Sequence, residues 1–353
     1  MKNLVFVFIV CISLTACSGN KNKNEKSGSL RAEITAAGAT FPQPFYNKVF
    51  NDYSTMTGNK LTYGGIGSGG GIRSLKDKVV DFGATDAFLT DEQAAELPAP
   101  VVHVPTCLGA VVIAFNLPGI TELKMKNEVL ASVFLGEIKK WNDPKILADN
   151  PGINLPGKDI SVVYRSDGSG TTFIFSDYLS KISKSWADKV GTGKSLNWPV
   201  GMGAKGNPGV AGIIKQTEGT IGYIGSEYAF AQKIPCVLLQ NQAGNFIAPS
   251  VESVSAAAQG DIPADTRVMV TNSADPDAYP ISAFTWIILY KEQSYNGRKI
   301  DQARETVKFL QWLVGPDAQA IARKVDYAPL PEKAVQLAND ILKSVTFEGE
   351  PLL

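Results

Sequence analysis

The sequence predicts an α/β fold with mostly parallel sheets flanked by helices, and three observations predict it. Short strand-like runs end in turns of small residues that open helical segments, at 33–42, 60–71 and 160–179. Strand and helix patterns alternate along the chain, which is the rhythm of βα units and not of separate blocks. The chain is 353 residues long and 44% apolar, enough for two domains of ordinary size.

Glu33-Ile34-Thr35 reads as the first strand and Ala36 to Pro42 as its turn. Phe45, Val49, Tyr53 and Met56 recur at helical spacing between Pro42 and Gly58, so a helix is predicted over 42–56 with its aromatics in the core. Lys60-Leu61-Thr62 is the second strand, Tyr63 to Gly71 a glycine-rich turn, and a short helix is predicted after Gly71. Val79 to Ala87 brings Asp86 to a third strand end, and Thr90-Asp91-Glu92-Gln93 is a capping-box signature for a helix before Leu97. Val101 to Leu117 is nearly all apolar but broken by Pro105 and Gly109, which predicts two buried strand pieces meeting at a bend. Ile281 to Tyr290 is a comparable run. Between them, Thr192 to Gly212 reads as an ordered loop. Val307, Leu310, Leu313 and Val314 give a helix stopped by Gly315-Pro316, and further helices are predicted over 318–324 and 332–343.

Tyr164 to Thr172 is the stretch with the most chemistry. It follows the β-branched strand Ile160 to Val163 and opens a helix from Phe173, so its turn aims several backbone N–H groups at one spot under a helix dipole. Ser169 and Thr171 add hydroxyl donors, and Arg165 offers a planar fork suited to a tetrahedral oxyanion.

Thirty-four basic and thirty-four acidic residues cancel, so no broad basic field exists to hold nucleic acid. Lys2 and the apolar run from Leu4 to Ile12 read as an export signal, the run being too short to span a bilayer. Leu14-Thr15-Ala16-Cys17 resembles the lipobox of bacterial lipoproteins, which implies a signal peptide over 1–16 and a lipidated tether over 17–30 that starts at Cys17. Cys107 and Cys236 sit in apolar strand-like runs and read as buried free thiols.

Four segments, Gly38-Ala39-Thr40-Phe41-Pro42, Gly65-Ile66-Gly67-Ser68, Val80 to Ala87 and Arg165 to Thr171, closely resemble the signature segments of the phosphate-binding proteins of phosphate-specific ABC transporters. Gly136 to Trp141, Gly222-Tyr223-Ile224 and Asp326 to Pro331 extend the resemblance in the same order. It implies a two-lobed, type II periplasmic-binding-protein-like fold with two hinge crossovers, lobe I over 31–107 plus 278–353 and lobe II over 108–277. It implies inorganic phosphate held by Thr40, the Phe41 N–H, Ser68 and Asp86 from one lobe and by Arg165, Ser169, the Gly170 N–H and Thr171 from the other. Asp167 orients Arg165 by the same likeness. The resemblance implies ABC permease subunits as partners, an extracytoplasmic, membrane-anchored location, and neither catalysis, cofactor nor metal. The chain departs from the family at Thr85 and Gly69, where Ser is usual.

Competing readings rest on weaker motifs. Gly65 to Gly70 satisfies a dinucleotide fingerprint with Asp86 at the spacing of a ribose-binding acid, although an equivalent turn already precedes it at Gly38. Gly191-Thr192-Gly193-Lys194-Ser195 fails as a P-loop because Asp188 occupies the first glycine position. His103 is the one histidine and lies in an apolar run, so no hydrolase triad and no clustered His/Cys metal site is expected. A binder of another oxyanion, sulfate or molybdate, is the remaining alternative. Asp86 argues against it, because a carboxylate can accept a proton from phosphate and only repels an unprotonated anion.

Overall fold

The computed structural model describes residues 32–353. The signal peptide, the tether and Cys17 lie outside the described residues. The first third of the described chain runs β1 (Glu33–Gly38), α1 (Gln43–Thr57), β2 (Lys60–Gly65), α2 (Ser68–Lys76), β3 (Phe82–Thr85), α3 (Asp91–Ala95) and β4 (Val101–Phe115). The middle runs β5 (Leu123–Met125), α4 (Asn127–Phe134), α5 (Pro144–Asp149), β6 (Ser161–Arg165), α6 (Gly170–Ile182), α7 (Lys184–Lys189), β7 (Met202–Ala204), α8 (Gly206–Gln216), β8 (Thr220–Gly225), α9 (Ser226–Gln232), β9 (Val237–Gln240), β10 (Phe246–Ile247) and α10 (Val251–Ala257). The last part runs β11 (Ser282–Tyr290), α11 (Ile300–Leu313), α12 (Pro316–Lys324), α13 (Glu332–Lys343), β12 (Thr346–Phe347) and β13 (Glu350–Pro351).

Eight strands form one sheet in the order β2-β1-β3-β11-β4-β8-β6-β7. Its two flanks, β2-β1-β3 and β8-β6-β7, are parallel, as the βα rhythm predicts. Its centre is antiparallel, because β4 and β11 carry the chain between the two lobes and back. Residues Val101 to Ala110 of β4 pair with β11, and Val111 to Phe115 pair with β8, so the strand changes partner between Ala110 and Val111.

Three expectations are corrected. Val101 to Phe115 is one strand and not two pieces at a bend: Pro105 lies beside a register shift that leaves Thr106 unpaired, so the ladder absorbs it as a bulge. α2 starts at Ser68 and not after Gly71, because Gly67 (φ 84°) makes the turn alone and the following glycines can pack against a neighbouring strand. A Cβ on Gly71 would lie 2.6 Å from Gly38 Cα. The stretch 192–212 is a loop only in its first half, since Met202–Ala204 joins the sheet and Gly206 (φ 69°) turns the chain into α8.

Other elements follow the sequence. The Thr90 hydroxyl and the Gln93 side chain form the capping box of α3, and Gly58 closes α1 in the left-handed conformation. Phe50 meets Phe309 edge-on at 4.9 Å and Phe134 meets Phe175 at 4.7 Å, aromatic pairs within one continuous core. Both Cys107 and Cys236 are free, Cys107 buried and Cys236 half-buried. Among the described residues, no helix is long and apolar enough to cross a membrane.

Candidate functional site

The carboxyl ends of β1, β2 and β3 face the carboxyl end of β6, the position where open α/β sheets place their ligands. Thr40 follows β1 and is 3% exposed. Its path is fixed because Gly38 runs against β3, where a Cβ would come 2.2 Å from the Ala84 carbonyl. Phe41 is fully buried and its carbonyl accepts the Tyr327 hydroxyl at 2.5 Å. Ser68 is the first residue of α2, and its Oγ accepts the Asp86 N–H at 3.3 Å and the Gly170 N–H at 3.1 Å. Asp86 follows β3, is 1% exposed, and its Oδ1 accepts the Thr285 hydroxyl at 2.8 Å. Burial pushes this carboxyl up to about 7, against hydrogen bonds from Thr285 and Ser68 and the charge of Arg165.

Arg165 ends β6 with its backbone N–H on the Tyr223 hydroxyl at 3.0 Å. Its Nε and Nη2 donate to the two Asp167 oxygens at 2.8 and 2.6 Å, and its Nη1 donates to Thr171 Oγ1 at 3.2 Å. Three of the five guanidinium N–H groups are thereby used, which leaves one on each Nη. Burial is the largest single influence on the Asp167 carboxyl and raises it, but the Arg165 hydrogen bonds, the Arg165 charge and the Gly206 N–H together hold the group below its ordinary value. Ser169 caps α6 by accepting the Thr172 N–H at 3.0 Å, so its hydroxyl proton stays free to donate. The structure thus brings Thr40, Ser68, Asp86, Arg165, Gly170 and Thr171 to one buried place, with Phe41 and Ser169 on its border.

The two sides touch directly. The Gly69 N–H donates to the Gly168 carbonyl at 2.8 Å, and the Tyr228 hydroxyl donates to the Thr40 carbonyl. These contacts close the α2 N-terminus: a Cβ on Gly67 would lie 2.3 Å from Asp167 Oδ2, so the glycine turn has no room for a pyrophosphate. The dinucleotide reading fails on this point. His103 is structural, since its Nε2 accepts the Leu89 N–H at 3.0 Å and burial pushes it down to about 4. Lys194 in the rejected P-loop segment gives its carbonyl to the Ser169 N–H at 2.8 Å.

Three polar residues escaped the sequence reading. Asn207, fully buried at the start of α8, donates its backbone N–H and its Nδ2 to Thr40 Oγ1 at 3.1 and 3.0 Å. The same Nδ2 donates to Thr171 Oγ1 at 3.2 Å, and Oδ1 accepts the Gly225 N–H at 3.1 Å. Thr285 holds Asp86, and Tyr228 holds the Thr40 carbonyl. Thr285 had a signal, being a hydroxyl inside the apolar run Ile281 to Tyr290.

Comparison with known proteins gives concordant results. Residues 23–317 match the family model described as a PBP superfamily domain. A phosphate-binding protein PstS of Pasteurella multocida is 44% identical over 310 residues, 86% of this chain and 88% of the relative. A PstS of Methanocaldococcus jannaschii is 36% identical, covering 94% of this chain and 91% of the relative. Among solved structures, a high affinity periplasmic phosphate-binding protein bound with phosphate aligns with a TM-score of 0.70 at 23% identity, over 87% of this chain and 93% of that one. A putative phosphate ABC transporter substrate-binding protein with bound phosphate from Clostridium perfringens aligns with a TM-score of 0.62 at 16% identity, over 85% and 100%. With a family model across most of its length and relatives this similar over nine-tenths of theirs, the chain belongs to the PstS phosphate-binding proteins of the PBP superfamily.

Proposed function

We propose that this protein binds inorganic phosphate between its two lobes and delivers it to the permease subunits of an ABC transporter, without catalysing a reaction. One observation carries the reading: the Thr40, Ser68 and Thr171 hydroxyls and the Arg165 fork converge on the buried carboxylate Asp86. A carboxylate among anion donors makes sense when the anion carries a proton. Phosphate near neutral pH does so and sulfate does not.

In this reading Thr40, the Phe41 N–H, Ser68 and Asp86 from one lobe meet Arg165, Ser169, the Gly170 N–H and Thr171 from the other, with the lobes taken as 31–107 plus 278–353 and 108–277. Splitting donors between lobes favours the closed arrangement, since only that arrangement completes the set. Asp167 fixes the plane of Arg165 and balances its charge. Lipid on Cys17 anchors the protein to a membrane on its extracytoplasmic side, in the periplasm or at the outer face of the cell membrane. The names of relatives such as the Pasteurella protein support phosphate as the ligand. Calorimetry with phosphate, sulfate and NAD on protein stripped of bound anion tests the reading: phosphate alone should give a saturable signal, and equal sulfate binding or none with phosphate refutes it.

A further inference from the structure

We propose that Asn207 is the positioning residue that turns the Thr40 and Thr171 hydroxyls into obligate donors and ties the two lobes together around the ligand. A threonine hydroxyl has one proton and two acceptor sites. Thr40 Oγ1 receives two N–H groups from Asn207, at 3.1 and 3.0 Å, so both acceptor sites are filled and its proton must point elsewhere. Thr171 Oγ1 receives Arg165 Nη1 and Asn207 Nδ2, each at 3.2 Å, with the same result. The amide orientation is not free: the Gly225 N–H on Oδ1 at 3.1 Å fixes which end is NH₂, and a flipped amide would set two donors against each other.

An amide does this without adding charge to a buried anion site. A lysine there would bring a second cation, and a carboxylate would take both hydroxyl protons for itself. Asn207 sits in the second lobe on α8 beside Gly225 of β8, whereas Thr40 belongs to the first lobe, so the arrangement exists only when the lobes meet. Asn207 therefore acts mainly on release and little on encounter.

This inference rests on the phosphate reading, and its test separates the two. Phosphate affinity and dissociation rate are measured for wild type, Asn207→Ala, Asn207→Asp, Thr40→Val and the Asn207→Ala/Thr40→Val double variant. Asn207→Ala should weaken binding by at least ~10-fold through faster dissociation, and Asn207→Asp, which keeps the Gly225 contact, by at least ~100-fold. In the Thr40→Val background the loss caused by Asn207→Ala should shrink at least ~3-fold, because part of it acts through the Thr40 hydroxyl. An undiminished loss in that background, or Asn207→Asp binding phosphate as wild type does, overturns the inference while leaving phosphate binding intact. Wild type that ignores phosphate overturns the functional reading itself.

Discussion

The Ser68 hydroxyl accepts the Gly170 N–H at 3.1 Å, joining the first residue of α2 to the first residue of α6 across a separation of 102 residues. Two helix N-termini, each the positive end of a dipole, therefore meet at one place. Their dipoles favour negative charge beside them, supplied in part by the Asp86 carboxylate and the Gly168 carbonyl.

The closeness of that contact makes Gly170 a steric test of closure. A Cβ there would lie 2.6 Å from both Asp86 Oδ2 and Ser68 Oγ. Gly170→Ala should weaken phosphate binding by at least ~100-fold by holding the lobes apart, while the first turn of a helix tolerates alanine well. Titration calorimetry beside thermal melting checks this. A normal affinity would show that the lobes need not approach so closely.

Arg165 keeps two N–H groups free after Asp167 and Thr171 have taken three. Arg165→Ala should cost at least ~2 kcal/mol of phosphate binding, about thirtyfold, since water cannot replace a buried charge-assisted fork. A loss within twofold, read by calorimetry, places Arg165 outside the site.

Asp86 links stability to pH in an unusual direction. Burial raises its carboxyl from 3.8 to about 7, so between these values the folded protein holds a proton that the unfolded chain releases. Stability from this group is therefore present below about pH 4, falls as pH rises towards 7, and is level above. Asp86→Asn removes the dependence. Urea unfolding should show the variant gaining on wild type by roughly 2–4 kcal/mol between pH 4 and pH 8. A gap that does not change with pH contradicts the assignment.

Cys17 is predicted to be the lipid-bearing mature N-terminus, on the strength of Leu14-Thr15-Ala16-Cys17. Labelled fatty acid should enter wild type and not Cys17→Ala. Equal labelling of both, or of neither, rules Cys17 out as the lipid site.

What the sequence made legible were the parts governed by local rules. The Thr90–Gln93 capping box, the prolines and Gly58 around α1, and the small-residue turns before α2 and α6 each depend on neighbours a few residues away. Arg165, Asp167 and Thr171 lie in one short segment, so their mutual contacts could be anticipated from spacing. Asn207 could not, because Gly206-Asn207-Pro208 reads as turn chemistry and its partners are 167 and 36 residues away. Pro105 misled for a related reason: it breaks an isolated strand, and only pairing with β11 across the bulge at Thr106 lets β4 continue.

The measurement that tests the central claim most directly is phosphate and sulfate affinity, at one pH above about 7 where Asp86 is ionised, for wild type and Asp86→Asn. If Asp86 accepts a proton from the bound anion, wild type ignores sulfate at concentrations that saturate with phosphate. Asp86→Asn should then narrow the ratio by presenting N–H donors to an unprotonated oxygen. Comparable sulfate binding by wild type, or an unchanged ratio in a folded variant, would contradict the account.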